Sequence, residues 1–506
     1  VNYMLDNMHK CKGRVSDEIY NHYEGVARFW RAWFYYDKVR TFGAVPWYDF
    51  TISASDKEAL TKPRDSREYV MDKVLEDLTF ASTYCLADAK YTKGSALINK
   101  WVALAFKSRV CLFEAAYRRY HNLTGLEITP EELYREAAKA AKLVIDNSGC
   151  SLNTAAGKKG AYRDLFYSET PLTQEVILAV CANEKSGIFG EQNWWFNARS
   201  YGLCWSLVRS FVHTYLKQDG TPFTAAADYA VKSFAEEMEG RDLRLEQTVR
   251  GRNFLWDGKT AVADIKNLSL TGYQVIKYTL DESKYDGGAK NINSIPLIRY
   301  AEVLLNYAEA QAELGVLTDS EWALTVGALR KRAGITGGTE TLPTTVDSYL
   351  QRTFYPDVTS PVLLEIRRER AIELVAEGMR FDDLRRWKCG SLMETLRWSG
   401  IHIPGLEQPV DVNGDGVNDY YFTEGEVVSA PAAYKNIAVR VNQDGVGLYA
   451  EANPVSGYDL VYKTGAGDRY WYPDGRQYLY PIPAKVIRDY RNAGYTISQN
   501  PEWDNE

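Results

Sequence analysis

The chain has 506 residues, of which 45% are hydrophobic and 25% are charged, a composition that predicts a large globular protein with an extensive core. The formal net charge is −7 and no basic block appears, which argues against nucleic acid or an anionic membrane surface as a partner. No apolar run approaches the roughly 20 residues that a membrane-spanning helix needs.

Helical periodicity dominates residues 1–149. The first long helix is expected over residues 18–40 and should end at Gly43, because Pro46 forbids its continuation. Its apolar face is expected to contain Ala27, Trp30, Phe34 and Tyr35. Three further helix starts are marked by a capping residue or an early proline, at Ser66, Ser95 and Thr129-Pro130.

A second helical part is expected at residues 295–398, where the stretches 296–315, 322–333 and 361–378 carry apolar residues at helical spacing. Residues 150–294 and 399–506 are rich in Gly, Asn, Asp and aromatics, with short strand-like runs and a closing helix at the end. The pattern predicts a mainly α fold. Residues 1–149 and 295–398 would form a tetratricopeptide-like helical-repeat scaffold, interrupted by long irregular insertions that contain short strands. We expect the four parts to form one unit, with residues 150–294 as the candidate binding surface.

Trp and Tyr are unusually abundant, with 13 Trp and 36 Tyr beside only 17 Phe. Both side chains combine a flat apolar face with a polar group, so they suit surfaces that are partly apolar and partly wet. Sugar rings are such partners, because their C–H faces stack on aromatic rings while their hydroxyls need hydrogen bonds. The competing explanation is that these rings fill a large core.

The segment 187–197 is the first candidate for a ligand contact. It sets Trp194 and Trp195 among glycines and amides, including Asn193 and Asn197. Neighbouring side chains on an extended backbone point in opposite directions, so one tryptophan could anchor in the core while the other faces outward. The amides can both donate to and accept from sugar hydroxyls.

Three isolated aromatics are further candidates for a glycan contact. Trp47 follows Pro46 in the loop after the first long helix, where we expect it to be exposed. Trp256 lies in a turn-like sequence, and Tyr285 precedes Asp286 and a glycine pair. Each ring would contribute roughly 1 kcal/mol, so a broad, weak site of several rings is expected.

Residues 411–419 read DVNGDGVND and resemble the first part of a calcium-binding loop. The candidate ligands are Asp411, Asn413, Asp415 and Asp419, with the backbone carbonyl of Val417. Gly416 would allow the sharp turn, but the twelfth position is Phe422 in place of the usual glutamate. Glu424 or Glu426 could substitute, and the alternative is a turn that needs no metal. A structural calcium ion is therefore the one cofactor predicted.

Signatures of catalysis do not appear in the sequence. There is no G-x-S-x-G, H-E-x-x-H or P-loop pattern, and the seven Cys include no C-x-x-C pair. A glycoside hydrolase needs only two carboxylates across a cleft, so that class stays open as a less favoured alternative. The first residues carry no secretory signal, and we expect the chain to be the interior of a longer precursor.

Several blocks together resemble the SusD/RagB family of outer-membrane nutrient-binding lipoproteins. FWRA at 29–32, within the first long helix, is followed by FGAVP at 42–46, and RYAEVLLNYAEA occupies 299–310. ERAIEL at 369–374 continues into EGMRFDDLRRW at 377–387, and YPIP at 480–483 precedes QNPEW at 499–503. The charged residues in these blocks are interpreted as ion pairs on helix faces that support the scaffold.

The resemblance implies a non-enzymatic protein of the cell surface that binds glycans. It implies delivery of an oligosaccharide to a SusC-like TonB-dependent transporter, and attachment to the outer membrane through an N-terminal lipid anchor absent from this chain. No apolar signal precedes Cys11, so this cysteine is not the expected lipid site. Capture of peptides or proteins, as in relatives resembling RagB, is the main alternative. A helical-repeat scaffold for intracellular protein partners is a further one.

Overall fold

The computed structural model describes residues 1–198, 203–265, 267–443, 445, 447–463 and 469–503. Most of the regular structure in these residues is helical, with small sheets, which confirms the predicted mainly α fold. Among the described residues, no helix is both long enough and apolar enough to cross a bilayer.

Helices fill the first part of the chain. They are α1 Asn2–Asn7, α2 Asp17–Phe42, α3 Lys57–Leu60, α4 Arg67–Tyr84, α5 Ala89–Thr92, α6 Lys100–Tyr120 and α7 Pro130–Asn147. The predicted starts of α4 and α7 are confirmed, because Ser66 caps α4 and Thr129 forms a capping box with Glu132. Helix α6 begins later than predicted, because Asn99 accepts hydrogen bonds from the first-turn N–H groups and Ser95 has a φ of 56°.

The predicted apolar face of α2 is wrong in part. Trp30 and Phe34 are 44% and 54% exposed, whereas Phe29, Ala32 and Val39 are fully buried. The cause is the position of α4 and α6: α2 packs against α4, and Phe29 contacts Phe106 of α6. Helix α2 therefore has aromatic side chains on its exposed side as well as in the core.

The described residues of the range 150–294 form short elements. They are α8 Asp164–Tyr167, β1 Val176–Val180, α9 Gln192–Asn197, α10 Arg209–Val212, α11 Phe234–Met238, α12 Arg244–Thr248, β2 Leu255–Trp256 and β3 Lys259–Thr260. This stretch therefore consists of short helices and strands joined by irregular backbone.

The second helical part opens on a strand. Its elements are β4 Ile295–Arg299, α13 Tyr300–Glu313, α14 Asp319–Leu324, α15 Val326–Arg332, α16 Ser348–Phe354, α17 Pro361–Glu373, α18 Arg380–Arg386 and α19 Leu392–Thr395. The single helix predicted over 296–315 is thus a strand followed by a helix, because β4 pairs antiparallel with β1. The helix predicted over 322–333 is divided at Thr325, and the one predicted over 361–378 ends before Ala376 and Gly378, both of which have positive φ.

The C-terminal part holds most of the strands. They are β5 Ser399–Ile403, β6 Pro409–Val410, β7 Tyr420–Thr423, β8 Ala438–Arg440, β9 Leu448–Ala452 and β10 Tyr458–Tyr462, followed by helix α20 Ala484–Asn492. One sheet has the order β5–β10–β9 and another the order β6–β7–β8, in which β7 and β8 are parallel. The remaining pairs are β1–β4 and β2–β3.

The long helices pack in a continuous series. Helix α2 contacts α4, α4 contacts α6, α6 contacts α7, α7 contacts α13, and α13 contacts α17. Buried alanines of α6, such as Ala103 and Ala115, allow close approach of the neighbouring helices. The chain leaves this series after α7 and rejoins it at α13, so the insertion lies outside the helical stack.

The two irregular regions share a second hydrophobic core. Leu245 and Tyr273 of residues 150–294 pack in one cluster with Ile403, Phe422 and Leu460 of the C-terminal strands. The sequence separates these regions by the whole second helical part. Side chains of both regions nevertheless pack into one hydrophobic core beside the helical scaffold.

A buried ionic cluster joins the insertion to the scaffold. Glu373, at the end of α17, accepts hydrogen bonds from Arg244 at 2.8 Å, from Arg299 at 3.0 Å and from Arg332. Arg299 also donates to Glu175 at 2.8 Å. Burial alone would raise the pKa of Glu373, but the surrounding guanidinium groups lower it well below its usual value. The predicted structural role is confirmed, although the pairs lie inside the protein and not on exposed helix faces.

Replacing Glu373 by glutamine should strongly destabilise the fold. The substitution keeps the shape of the side chain but removes the one negative charge that Arg244, Arg299 and Arg332 share, so the buried cluster keeps an excess of positive charge, which costs about 3–5 kcal/mol. The readout is the unfolding transition in urea, followed by circular dichroism. The matched control is Lys485→Ala, which removes the exposed ion pair between Lys485 and Asp489 and should leave the transition nearly unchanged. Equal effects of the two substitutions would contradict the role given to Glu373.

Candidate functional site

A cavity of about 450 Å³ lies where the helical scaffold meets the insertion. Its walls come from α2, α6 and α9, from β4, and from the turn between α17 and α18. The aromatic lining residues are Trp33, Tyr36, Phe106, Phe196, Trp205 and Tyr278. The volume is within the range of sites that bind small molecules.

Two stacked pairs of rings line the cavity. Trp33 of α2 lies over Phe106 of α6, with ring centroids 4.4 Å apart and an interplanar angle of 10°. Phe196 of α9 stacks on Trp205 at 5.3 Å and 24°. Phe106 is buried in the core and packs against one face of the Trp33 ring. Trp205 is 45% exposed. The cavity therefore presents flat apolar faces that are held in place by the core.

The charged groups of the cavity are paired within the protein. Arg40 bridges Asp37, at 2.8 Å, and Asp382. Arg109 forms two hydrogen bonds with the Glu302 carboxylate, both of 2.6 Å, and donates to a backbone carbonyl of β4. Each of these charged side chains therefore already has a partner of opposite charge among the described residues.

Glu377 is the third carboxylate of the cavity and extends the ionic cluster to it. It accepts hydrogen bonds from Arg299 at 2.7 Å and from Lys277 at 2.6 Å. Burial would raise the pKa of Glu377, but these two cations lower it overall. Burial raises the pKa of Asp382 even though Arg40 opposes this effect.

Three neutral polar atoms of the cavity lining have no hydrogen-bond partner among the described residues. The hydroxyls of Tyr36 and Tyr278 form no hydrogen bond with the described part of the chain, and neither oxygen is fully enclosed by protein atoms. The Oε1 atom of Gln192 is enclosed and accepts no hydrogen bond from the residues described. The nitrogen of the Gln192 amide donates a long hydrogen bond of 3.5 Å to the carbonyl of Asn293.

Segment 187–197 lines the cavity as a candidate contact segment, but the residues that do so are not the ones singled out from the sequence. It forms the short helix α9 and not an extended strand, and Gln192 and Phe196 line the cavity. Trp194 is half-buried and Trp195 is 42% exposed, with their rings in edge contact at 4.8 Å. The two tryptophans lie beside the cavity lining, and their contact with a glycan stays a prediction.

The prediction that Asn193 and Asn197 offer amides to a ligand is wrong as regards their exposure. Both are buried, and Asn193 exchanges hydrogen bonds with the backbone of Leu280 at 2.7 and 2.8 Å. Asn197 donates to Asp286 at 3.2 Å. These amides attach α9 to the loop before β4, because buried amides require partners.

The expected exposure of Trp47 is also wrong. Trp47 is only 5% exposed, because its ring packs on Tyr35 at 4.3 Å and beneath the Arg31 guanidinium at 5.2 Å. Trp256 is half-buried on the hairpin β2–β3, and Tyr285 is half-buried beside Lys284. Neither Trp256 nor Tyr285 lines the cavity.

Sequence reasoning missed Trp33 and Trp205. A signal for Trp33 was present, because α2 carries aromatics at 29, 30 and 33–36, more rings than one helix face can bury. Trp205 lies in an irregular stretch, and no local pattern separates it from the other tryptophans. Its stacking on Phe196 appears only in the folded chain.

The loop 411–419 uses its carboxylates to hold its own backbone. Asp411 accepts hydrogen bonds from the N–H groups of Gly414 and Gly416 at 2.7 Å, and Asp419 accepts one from Val412 at 2.8 Å. Within the described ranges, no group of three or more His, Cys, Asp or Glu is arranged to hold a metal ion. The carboxylates of Asp411 and Asp419 thus hold the backbone of this turn, and calcium binding stays a prediction.

Comparisons with known proteins agree with this fold. A model described as the SusD family matches residues 174–503, and one described as "starch-binding associating with outer membrane" matches residues 1–112. SusD-like protein P2 of Formosa agariphila is 27% identical over 389 residues, which are 72% of this chain and 65% of that protein. The chain thus spans slightly less than two thirds of that relative's length.

Solved structures share the fold. A SusD-like protein of Bacteroides fragilis is 22% identical, with a TM-score of 0.65 over 99% of this chain and 83% of that one. A SusD-like carbohydrate binding protein of the same species is 20% identical, with a TM-score of 0.65 over 96% and 82% of the two chains. Because the matching family model covers well over half of its residues, the chain belongs to the SusD family.

Proposed function

We propose that the chain is a cell-surface glycan-binding protein, which captures an oligosaccharide in the aromatic cavity without altering it chemically. The observation that carries this proposal is the pairing of Trp33 with Phe106 and of Trp205 with Phe196 around one cavity. Flat rings suit the C–H faces of sugars. The descriptions of a matching family model as starch-binding, and of a B. fragilis relative as carbohydrate binding, support the same ligand class.

We further propose that the bound glycan passes to a SusC-like TonB-dependent transporter at the outer membrane, where a lipid anchor holds the protein. This part rests on family membership and on the association with the outer membrane that one matching model describes. Co-purification of the tagged native protein with a transporter of this class tests it, and recovery without any such transporter would contradict it.

The pairing of the cavity carboxylates favours binding over catalysis. A glycoside hydrolase needs one carboxyl group that can donate a proton and another that can act as base or nucleophile. Asp37, Glu377 and Asp382 each accept hydrogen bonds from arginine or lysine. Reducing sugar released from a bound polysaccharide would favour the hydrolase, and binding of peptides without binding of glycans would favour the peptide-capturing alternative.

Removing the half-buried ring of Trp33 or the exposed ring of Trp205 should weaken glycan binding. Trp33→Ala and Trp205→Ala each lose a stacking surface and its buried area, so the dissociation constant should rise about tenfold. The measurement is isothermal titration with oligosaccharides from a panel of polysaccharides.

The matched control is Trp256→Ala, because this half-buried tryptophan does not line the cavity. Its affinity should equal that of the wild type, and thermal unfolding should show that all three variants are folded. A larger loss of affinity in Trp256→Ala than in the cavity variants would place the site elsewhere.

Calcium binding by residues 411–419 has its own test. Extracellular calcium modules bind with dissociation constants of about 10⁻⁴–10⁻³ M, so about 5 mM CaCl₂ should raise the unfolding temperature of the wild type if the loop binds the ion. Asp415→Ala should abolish the increase. An unfolding temperature that is the same in CaCl₂ and in chelator would contradict the prediction.

A further inference from the structure

The charged groups at the cavity are already neutralised by the protein. Arg40 lies between Asp37 and Asp382, and both Arg109 and Glu377 have partners of opposite charge. A charged ligand would have to compete with these ion pairs.

Unlike the charged groups, the hydroxyls of Tyr36 and Tyr278 have no hydrogen-bond partner among the described residues. Both tyrosines are buried, at 6% and 7% exposure, and both line the cavity. Neither hydroxyl oxygen is fully enclosed by protein atoms. A hydroxyl both donates and accepts, so each can bind a sugar hydroxyl in either direction.

Arg109 adds a hydrogen-bond donor whose orientation is set by its other hydrogen bonds. Its Nε and Nη2 atoms bind Glu302 and the Leu297 carbonyl, whereas Nη1 forms no hydrogen bond with the residues described. Because Glu302 neutralises the guanidinium group, Nη1 serves as a donor without leaving a net charge unpaired.

We infer that the cavity selects uncharged sugar residues, and that the hydroxyls of Tyr36 and Tyr278 are specificity contacts to the hydroxyls of the glycan. This inference rests on the proposed glycan-binding function and adds the class of glycan: neutral hexose or pentose units, not uronates or sulfated sugars. The stacked rings contact the apolar faces of the sugar, while the two tyrosine hydroxyls and Arg109 Nη1 form hydrogen bonds with the sugar hydroxyls.

The first arm of the test removes only the hydroxyls. Tyr36→Phe and Tyr278→Phe should each weaken binding of a neutral oligosaccharide about threefold to tenfold, the effect of one hydrogen bond. The control is Tyr134→Phe, because Tyr134 also has a buried hydroxyl without a partner but lies outside the cavity lining. Unchanged affinity in both cavity variants, with unfolding temperatures equal to that of the wild type, would overturn the role of the tyrosines.

The second arm compares ligand charge. Neutral probes (starch, mixed-linkage β-glucan, galactomannan and xylan oligosaccharides) are titrated beside anionic ones (polygalacturonate, alginate and chondroitin sulfate oligosaccharides). The inference predicts that a neutral probe binds at least tenfold more tightly than every anionic probe. Tighter binding of an anionic probe would overturn the inference and leave the glycan-binding function standing, whereas binding of no glycan would overturn both.

Discussion

The buried ionic cluster around Glu373 is the constraint on which the rest of the structure depends. Helix α17 supplies Glu373 from the scaffold, while Arg244 and Glu175 come from the insertion and Arg299 from β4. Buried charges cost free energy unless each one is paired, so these elements must meet in one arrangement. Side chains from distant parts of the sequence thereby fix the insertion on the helical stack.

The same cluster positions the candidate site. Arg299 bridges Glu373 to Glu377, and Glu377 forms part of the cavity wall. Residues of β4 line an adjacent part of the wall, and β4 pairs with β1 at the start of the insertion. The aromatic rings of α2 and α6 thus line one cavity with those of α9 and Trp205, and the ionic cluster reaches the wall of that cavity through Glu377. A preorganised arrangement of rings binds a ligand without a large cost of ordering side chains.

Local signals predicted much of the fold, and long-range contacts decided the rest. Capping residues such as Ser66 and Thr129 marked helix starts, because their side chains satisfy N–H groups within the same turn. Strand β4 escaped prediction because its apolar residues also fit a helix, and only pairing with β1, more than 100 residues earlier, selects the strand. The side chains of the site were harder to predict than the helices. The Asn193 amide is hydrogen-bonded to the Leu280 backbone, and the Trp33 ring is stacked on Phe106. Segment 187–197 was placed at the site, but which of its side chains point inward depends on the helix it forms.

The central claim is that a glycan binds between the stacked ring pairs. The most direct measurement is a crystal structure of the protein with an oligosaccharide that binds in titration. A sugar ring should lie in van der Waals contact with Trp33 and Trp205, and sugar hydroxyls should lie within hydrogen-bonding distance of Tyr36 or Tyr278. A glycan bound elsewhere, for example against Trp256 and Tyr285 with the cavity unoccupied, would contradict it.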